Sequence, residues 1–221
     1  MGTIAVLGAG SGTGRHVAEQ ALAGGHNVTA IVRDAHRTAA ARPCLEVRQL
    51  DIANSGLDEM RGALLGASAV VFAAAGDLRR VDHLGVVLAT HAAEDLGIER
   101  FVLLSAKGAG VARPNILRGG FWDDYFAAKE AAEAKLQQSG LAWTIIKPGE
   151  LTDEPACGRI ALGEEIRSTE SISRADVAAT ILTALDHPGS VKRKWELVGG
   201  NASISEAVRD ATRLAVRREK A

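Results

Sequence analysis

The segment TIAVLGAGSGTGRH, residues 3–16, decides the fold of this chain. Its first residues, Thr3–Leu7, are mostly apolar or β-branched on consecutive positions, which is typical of a strand buried on both faces of a parallel sheet. Glycines then stand at every second position from 8 to 14, and a helical pattern follows. The segment therefore predicts a strand, a tight glycine loop and the start of a helix.

The alternation of apolar runs and helical stretches continues beyond this segment. Strictly alternating strands and helices predict a doubly wound parallel sheet, the α/β architecture of the Rossmann fold. The predicted strands are Thr3–Leu7, Val28–Val32, Leu45–Leu50, Ala69–Ala74, Phe101–Ser105 and Trp143–Lys147, and the predicted helices are 14–24, 55–66, 83–96 and 123–139. Left-handed caps are expected after these helices, at Gly24, Gly66, Gly97 and Gly140.

The last third of the chain is less regular. Residues 149–172 predict a loop with short strands, and helix 174–187, strand 195–198 and helix 203–218 follow. This tail is too short for a large independent domain. A chain of 221 residues therefore predicts a single domain over residues 1–221.

The composition argues against several classes of protein. Its 26 basic and 27 acidic residues do not suit a nucleic-acid binder. No apolar run approaches the roughly 18 to 20 residues that a membrane helix needs, and the first residues resemble a strand instead of a signal peptide. Cys44, Cys157 and six scattered histidines lack the spacing of a disulfide framework or a metal site. We expect a cytoplasmic monomer or homodimer without metal, nucleic acid or membrane.

The glycine loop has a chemical interpretation. A loop between a first strand and a first helix lets bare backbone N–H groups approach a pyrophosphate at the positive end of the helix. The pattern G-x-G-x-x-G fails because Thr13 stands in place of its last glycine, whereas G-x-x-x-G-x-G fits Gly8, Gly12 and Gly14. The alternative is a flexible turn without a ligand.

The end of the second predicted strand indicates which dinucleotide would bind. The run is VTAIVRD, residues 28–34, so Arg33 occupies the position where an acidic residue normally binds the ribose hydroxyls of NAD. A guanidinium there can hold a 2′-phosphate through two parallel hydrogen bonds. Arg15 and Arg37 could add charge, and NADP(H) is favoured over NAD(H). Asp34 keeps NAD open, and an unliganded surface charge is the alternative for Arg33.

These residues resemble the short-chain dehydrogenase/reductase superfamily, in its small atypical NAD(P)H-binding branch, which includes NmrA-like proteins and the flavin or biliverdin reductases. The resemblance covers nearly the whole chain. One departure is that Ser11 replaces the middle glycine of the usual G-x-x-G-x-x-G. The motifs are GAGSGTGRH (8–16), VTAIVRD (28–34), LDIA (50–53), VVFAAAG (70–76), FVLLSAKG (101–108), YFAAK (125–129), GLAWTIIKPGEL (140–151) and ISRADVAATIL (172–182).

The resemblance implies a single NAD(P)-binding Rossmann domain in which 149–221 supplies the substrate-side segment and the final strand and helix. It places Asp51 and Ile52 beside the adenine and Pro148 and Gly149 beside the nicotinamide. The expected cofactor-binding residues are Gly8, Gly10, Ser11, Gly12, Thr13, Gly14, Arg15, Arg33, Asp51, Ile52, Ala73, Ala74, Ala75, Gly76, Lys129, Pro148 and Gly149.

The only tyrosine of the chain, Tyr125, precedes Lys129 by four positions. This spacing puts both side chains on one helix face. In the superfamily such a tyrosine is a general acid, and the resemblance makes Ser105 the third catalytic member, which binds the substrate carbonyl. A nearby ammonium is expected to lower the tyrosine pKa, and Lys129 can also hold the nicotinamide ribose. The alternatives are an ordinary helix pair and a serine that ends a strand.

Residues 108–124 are predicted to form a glycine-rich loop ahead of this helix. Phe121 and Trp122 stand out in a chain with 4% aromatic residues, and they suit a mobile lid over a planar or apolar substrate. Simple packing of the helix start against the sheet is the alternative. Lys107 is either a phosphate or substrate contact or an exposed loop charge.

Three functions remain open from the sequence. The first is an NADPH-dependent reductase that transfers hydride to a small apolar or aromatic carbonyl, enone, quinone or flavin. The second is a small epimerase or dehydratase that uses tightly bound NAD. The third is an NmrA-like redox sensor without turnover, a class that usually lacks the Tyr-x-x-x-Lys pattern present here.

Overall fold

The computed structural model describes residues 2–10, 12–35, 43–110 and 119–219. Its strands are β1 (Thr3–Leu7), β2 (Asn27–Val32), β3 (Leu45–Gln49), β4 (Ala69–Phe72), β5 (Arg100–Leu104), β6 (Ala142–Pro148), β7 (Leu151–Thr152), β8 (Arg159–Gly163), β9 (Ile172–Ser173), β10 (Arg193–Gly199) and β11 (Ala202–Ser203). Helices α1 (Gly12–Ala23), α2 (Leu57–Leu64), α3 (Val86–Asp95), α4 (Phe121–Gln137), α5 (Arg174–Asp186) and α6 (Ile204–Glu219) connect them. A π-helix, Leu78–Gly85, precedes α3, and a short 3-10 helix, Pro188–Ser190, follows α5.

In the described residues the main sheet has nine strands, in the order β3-β2-β1-β4-β5-β6-β10-β8-β11. Neighbours from β3 to β10 pair in parallel, and β8 runs antiparallel to β10 and β11. The predicted doubly wound α/β sheet is therefore confirmed. The chain reverses its direction of winding between β1 and β4, the position at which open α/β sheets bind ligands beyond the carboxyl ends of their strands.

Helices cover both faces of this sheet. Alternate residues of β1 point to opposite sides, so that Ile4 and Val6 join a core with α1 and α5, whereas Ala5 and Leu7 join a core with α2, α3 and α4. All four side chains are buried. This double burial explains why the strand is apolar on consecutive residues.

The helix boundaries differ from the prediction by one or more residues, and two of the differences are at helix starts near the candidate site. Helical structure before α3 begins at Leu78 instead of residue 83, because the carboxylate of Asp77 accepts hydrogen bonds from the backbone N–H groups of Arg79 and Arg80 and caps a π-helix there. Helix α4 begins at Phe121 instead of residue 123. Both differences bear on the candidate site.

The predicted caps are right at two of four positions. Gly66 and Gly97 have the positive φ values, 81° and 68°, that a left-handed cap requires. Gly25, with φ of 83°, takes the position that was predicted for Gly24, and Gly140 has no positive φ.

Candidate functional site

The glycine loop lies where β1, β4 and α1 meet. Gly8 has φ of 87°, and a Cβ on it would lie 2.7 Å from the backbone of Ala74. A Cβ on Gly14 would lie 2.3 Å from the carbonyl oxygen of Gly8, so this glycine lets α1 pack against the loop. Gly12 also has positive φ, 54°, but its Cβ would meet only the side chain of Arg174, at 3.8 Å. Each of the three glycines in the pattern is therefore favoured at its position for a different physical reason.

A cleft of about 330 Å³ opens beside this loop at the carboxyl ends of β1, β2 and β4. Nine of the predicted cofactor residues line it together, although they come from four separate segments of the chain. These residues are Gly8, Gly10, Arg33, Asp51, Ile52, Ala73, Ala74, Ala75 and Gly76, and Asp34 lies among them. The predicted residues Ser11 and Arg37 lie outside the described part of the chain.

Other predicted cofactor residues do not line this cleft. Thr13 is buried in the first turn of α1, and Arg15 points along the same helix towards Glu19, with Nε 4.0 Å from Oε1. Pro148 ends β6 further along the sheet, and the N–H of Gly149, the next residue, donates to the carbonyl of Leu197 at 2.9 Å. The carbonyl of Pro148 accepts a hydrogen bond of 2.8 Å from the N–H of Lys107.

The charged groups that line the cleft are Arg33, Asp34, Asp51 and Asp77. Arg33 is exposed, so its guanidinium can reach an anion in the cleft. Asp51 accepts hydrogen bonds from Asn54 Nδ2 at 2.7 Å and from the N–H of Ala53 at 3.2 Å. Its carboxylate is thereby held in a local turn.

Lys129 forms a buried ion pair that the sequence did not predict. Its Nζ lies 2.6 Å from Oδ1 of Asp82 in the π-helix, and the side chains are only 7% and 1% exposed. The other oxygen of Asp82 accepts a hydrogen bond of 3.0 Å from the N–H of Gly76. The charge of Lys129 is therefore compensated within the protein.

This pair corrects the expectation for Tyr125. Burial, with a smaller contribution from the charge of Asp82, raises the pKa of Tyr125 to about 12 instead of lowering it. Lys129 still lies over the tyrosine ring, with Nζ 5.7 Å from the ring centroid. Because Asp82 neutralises that ammonium, phenolate gains little stabilisation, and the phenol stays protonated at neutral pH.

Ser105 directly follows β5, which ends one residue earlier than predicted, at Leu104, and its hydroxyl is already hydrogen-bonded. It donates a hydrogen bond of 2.5 Å to Oε1 of Glu133, and both residues are buried. Oε2 of Glu133 lies 3.7 Å from the Nζ atoms of both Lys147 and Lys194. In this arrangement Ser105 supports α4 and has no free donor for a substrate carbonyl.

Burial decides the protonation tendencies of this cluster. It raises the pKa of Glu133, against the opposing effect of the Ser105 hydroxyl and the two lysines. Burial likewise lowers the pKa of Lys147, against the effect of Glu133. Lys147 also donates to the carbonyl of Ala109 at 2.5 Å, so the cluster ties β6 and α4 to the segment after β5.

In the part of the chain that the structure describes, Lys107 binds other groups of the protein. Its Nζ donates to the carbonyl of Ile166 and, at 2.9 Å, to that of Ser168, and it lies 3.2 Å from Glu196. The ammonium therefore joins the segment after β8 to β10. The alternative of an exposed loop charge is wrong, because the Lys107 side chain is paired and only 20% exposed. A contact with a phosphate or substrate stays a prediction.

Phe121 and Trp122 lie in the first turn of α4, so the predicted lid loop is wrong for these two residues. Residues 111–118 of that loop lie outside the described structure. The two side chains are 61% and 39% exposed, and their ring centroids each lie 6.0 Å from that of Tyr125. Together with the buried Phe126 they form an aromatic cluster around the tyrosine.

Sequence reasoning missed Asp82 and Glu133. A signal was present for Glu133, because residues 125, 129 and 133 follow one another at intervals of four on a single helix face. No comparable signal marks Asp82, whose partners lie on other elements. The residues that the structure describes contain no group of three or more His, Cys, Asp or Glu that could hold a metal. Among the described helices, none has the length and apolar character needed to cross a membrane.

A doubly wound sheet with a glycine loop and a cleft at its switch point defines a dinucleotide-binding protein of the Rossmann class. The chain belongs to the NAD(P)H-binding family, whose model matches residues 8–188. It is 31% identical to the uncharacterized sugar epimerase YhfK of Bacillus subtilis, over 83% of this chain and 87% of that protein. It is 30% identical to the uncharacterized chloroplastic protein At2g34460 of Arabidopsis thaliana, over 93% of this chain and 79% of that one.

The solved structures confirm the fold. The oxidoreductase ylbE of Lactococcus lactis superimposes with a TM-score of 0.83 at 26% identity, over 94% of this chain and 95% of that one. The binding of NAD(P)H is thus supported by both family and fold. The chloroplastic relative shows that location varies among similar proteins, so a cytoplasmic location stays a prediction.

Proposed function

We propose that this protein is an NADPH-dependent reductase that transfers hydride to a small apolar or aromatic carbonyl, enone, quinone or flavin. The observation that carries the proposal is the placement of Tyr125 and Lys129. Both lie on one face of α4, and Asp82 connects the lysine to Gly76 at the wall of the dinucleotide cleft. Lys129 is thereby linked to the segment after β4, and its Nζ lies 5.7 Å from the ring centroid of Tyr125, the proton donor.

Each group has a defined task in this proposal. The backbone of the glycine loop binds the pyrophosphate, and Arg33 binds the 2′-phosphate. NADPH, when bound, supplies the hydride. Tyr125 donates a hydrogen bond or a proton to the acceptor oxygen of the substrate. Lys129 holds the nicotinamide ribose of the cofactor. Phe121 and Trp122 provide flat apolar surface for the substrate.

The raised pKa of Tyr125 favours particular acceptors within this class. A phenol with a pKa of about 12 is a reliable hydrogen-bond donor at neutral pH but a weak acid. Quinones and flavins need less help from a positioned acid than ketones do. We therefore expect quinones and flavins to be reduced faster than simple ketones.

A turnover screen tests this proposal. NADPH and NADH are each offered with quinones, flavins and small ketones, and oxidation of the reduced cofactor is followed by its absorbance. Reduction that is faster with NADPH, and faster for quinones or flavins than for ketones, is the expected result. Binding of NADPH without turnover of any acceptor would reject the reductase and leave the redox sensor.

A second candidate is an epimerase or dehydratase that uses tightly bound NAD as a transient oxidant. The Bacillus subtilis relative is named a sugar epimerase, which favours this candidate. Such an enzyme keeps its cofactor between turnovers. Cofactor that remains with the protein through purification and is released only on denaturation would support this candidate over the reductase.

A further inference from the structure

Asp82 is a buried carboxylate in an unusual backbone segment. It is 2% exposed and lies in the π-helix Leu78–Gly85, and π-helices are frequently found at functional sites. A charge buried in this way is costly unless it is paired and hydrogen-bonded. Its two oxygens meet that requirement through two different elements, Gly76 after β4 and Lys129 on α4.

These two partners belong to the two halves of the proposed site. Gly76 lines the dinucleotide cleft, and Lys129 lies over the ring of Tyr125. We propose that Asp82 is a positioning residue that couples the cofactor-binding loop at Gly76 to the Tyr125/Lys129 pair. The catalytic meaning of this coupling rests on the proposed function, but the coupling itself is a property of the protein without any ligand.

The surrounding charges make Asp82 the group that matters for Tyr125. The π-helix also carries Arg79 and His83, which face Asp124 of α4 across a separate outer cleft. The charge of Asp82 is the one that adds to burial in raising the pKa of Tyr125. Neutralising Asp82 should therefore make the tyrosine easier to ionise and release the ammonium of Lys129.

The single tyrosine allows this to be measured directly. Tyrosinate absorbs in the near ultraviolet, and the three tryptophans do not titrate, so the signal reports Tyr125 alone. The ligand-free protein is titrated between about pH 10 and 11, around the ordinary pKa of tyrosine. Wild type is compared with Asp82→Asn and with Asp82→Asn/Lys129→Met, and circular dichroism shows that each remains folded. Asp124→Asn is the matched control, because Asp124 is an exposed carboxylate next to Tyr125.

The expected order of the ionised fraction is wild type lowest, the double variant intermediate and Asp82→Asn highest. Asp82→Asn leaves the buried ammonium of Lys129 without its carboxylate, which could destabilise the fold. The double variant removes both charges, so it is expected to fold even if the single variant does not. Asp124→Asn should titrate like wild type. An Asp82→Asn variant that remains folded but titrates like wild type would overturn the coupling.

A binding experiment tests the cofactor side. NADPH titrated into Asp82→Asn should bind about tenfold or more weakly, the effect of weakening a charged hydrogen-bonded contact, whereas Asp124→Asn should stay within about twofold, the small effect expected of a surface substitution. Unchanged affinity in Asp82→Asn would overturn the link to Gly76. Neither measurement requires turnover. A substrate screen without any turnover would therefore reject the reductase and leave the coupling by Asp82 standing. If instead Tyr125 titrates in Asp82→Asn as it does in wild type, the coupling is rejected and the reductase proposal stands.

Discussion

The phenol of Tyr125 lies between aromatic rings and a carboxylate. The ring centroid of Phe126 is 5.1 Å away, and the charge of Asp82 acts in the same direction as burial on the pKa. A tyrosine that works as phenolate near neutral pH would need an uncompensated cation, and Lys129 does not supply one because it is paired with Asp82. Hydrogen-bond donation is therefore the role of Tyr125 that this environment favours.

Substitution of the hydroxyl separates the two kinds of acceptor. Tyr125→Phe leaves the ring packing intact, and positioned acid catalysis contributes about 10²- to 10⁴-fold. We expect a loss of that size in kcat with a ketone, a loss of less than about tenfold with a quinone or flavin, and unchanged NADPH affinity. Steady-state kinetics with both substrate types measures this. Equal rates for the variant and wild type with every acceptor would make Tyr125 only a helix residue.

The pH dependence of the same reaction follows from the direction of the shift. The pKa of Tyr125 in the folded protein lies near 12, above its ordinary value of 10.0, so the phenol stays protonated as the pH rises through 10.0. The rate should therefore show no loss assignable to tyrosine ionisation between about pH 7 and 9. A fall in kcat within this range that disappears in Tyr125→Phe would contradict the raised pKa.

Arg33 determines the expected preference for the phosphorylated cofactor. Arg33→Asp should weaken the binding of NADPH by about 1.5 to 3 kcal/mol, since it removes a charged hydrogen-bonded contact. The binding of NADH should change much less, so the same variant carries its own control. Fluorescence titration with each cofactor gives both values, and equal losses would show that Arg33 does not contact the 2′-phosphate.

At the scale of elements, the glycines of the first loop differ in what they permit. Gly14→Ala places a Cβ 2.3 Å from the carbonyl oxygen of Gly8, so α1 must shift. We expect it to lower the free energy of unfolding by about 1 to 3 kcal/mol, the usual effect of overpacking. Gly62→Ala in α2 is the control, since nothing lies within 4 Å of its Cβ. That control should stabilise by about 0.5 to 1 kcal/mol, measured by denaturant unfolding.

Gly12→Val should act on binding more than on folding. A Cβ on residue 12 would meet only side-chain atoms of Arg174, at 3.8 Å and beyond, so no backbone has to move. The positive φ, 54°, adds strain of about 1 to 2 kcal/mol. The branched side chain would occupy the place where the pyrophosphate approaches the backbone. We expect a normal circular dichroism spectrum together with the loss of fluorescence transfer to bound NADPH. Retained binding would show that Gly12 does not face the pyrophosphate.

Helix α4 and strand β6 contact each other through the buried ion pair of Glu133 and Lys147. Burial disfavours both charges, and each charge is compensated by the other. In folded protein the pKa of Glu133 is raised above 4.5, so stability from this group is present below that pH and is lost as the pH rises. The pKa of Lys147 is lowered, so its ionised form is likewise disfavoured. At neutral pH the pair therefore contributes little net stability, although each ion needs the other.

A double-mutant cycle tests this contact. Lys147→Met alone should lower the free energy of unfolding by about 3 kcal/mol, because it leaves the buried carboxylate of Glu133 with the partly exposed Lys194 as its cationic partner. Glu133→Gln/Lys147→Met should lie within about 1 kcal/mol of wild type. Denaturant unfolding of the two single variants and the double variant gives the coupling. Additive effects would show that the two residues do not act as a pair.

For the whole molecule, the sequence predicts the fold much better than it predicts the site. Strand and helix periodicity is local, so the apolar runs of β1 and β2 predicted a doubly wound sheet without any knowledge of contacts. The cleft could also be predicted, because strand ends of a parallel sheet meet at one edge. Ion pairs such as Asp82–Lys129 join residues far apart in sequence. Their effect on the pKa of Tyr125 therefore appears only in the folded structure.

Binding of the dinucleotide should stabilise the whole molecule, since a ligand that binds only the folded state shifts the unfolding equilibrium. At a concentration of 100 times Kd the gain is about 2.7 kcal/mol, which for a chain of this size corresponds to a rise in Tm of roughly 5 to 10 °C. We expect NADP⁺ to give this shift at lower concentration than NAD⁺, because only NADP⁺ carries the phosphate that Arg33 can bind.

Thermal unfolding of wild type, Arg33→Asp and Gly12→Val with each cofactor measures the shift in Tm. Arg33→Asp should bring the two cofactors closer together, and Gly12→Val should show no shift with either. A larger shift with NAD⁺ in wild type would reverse the predicted cofactor preference, and no shift with either would argue against binding at the glycine loop.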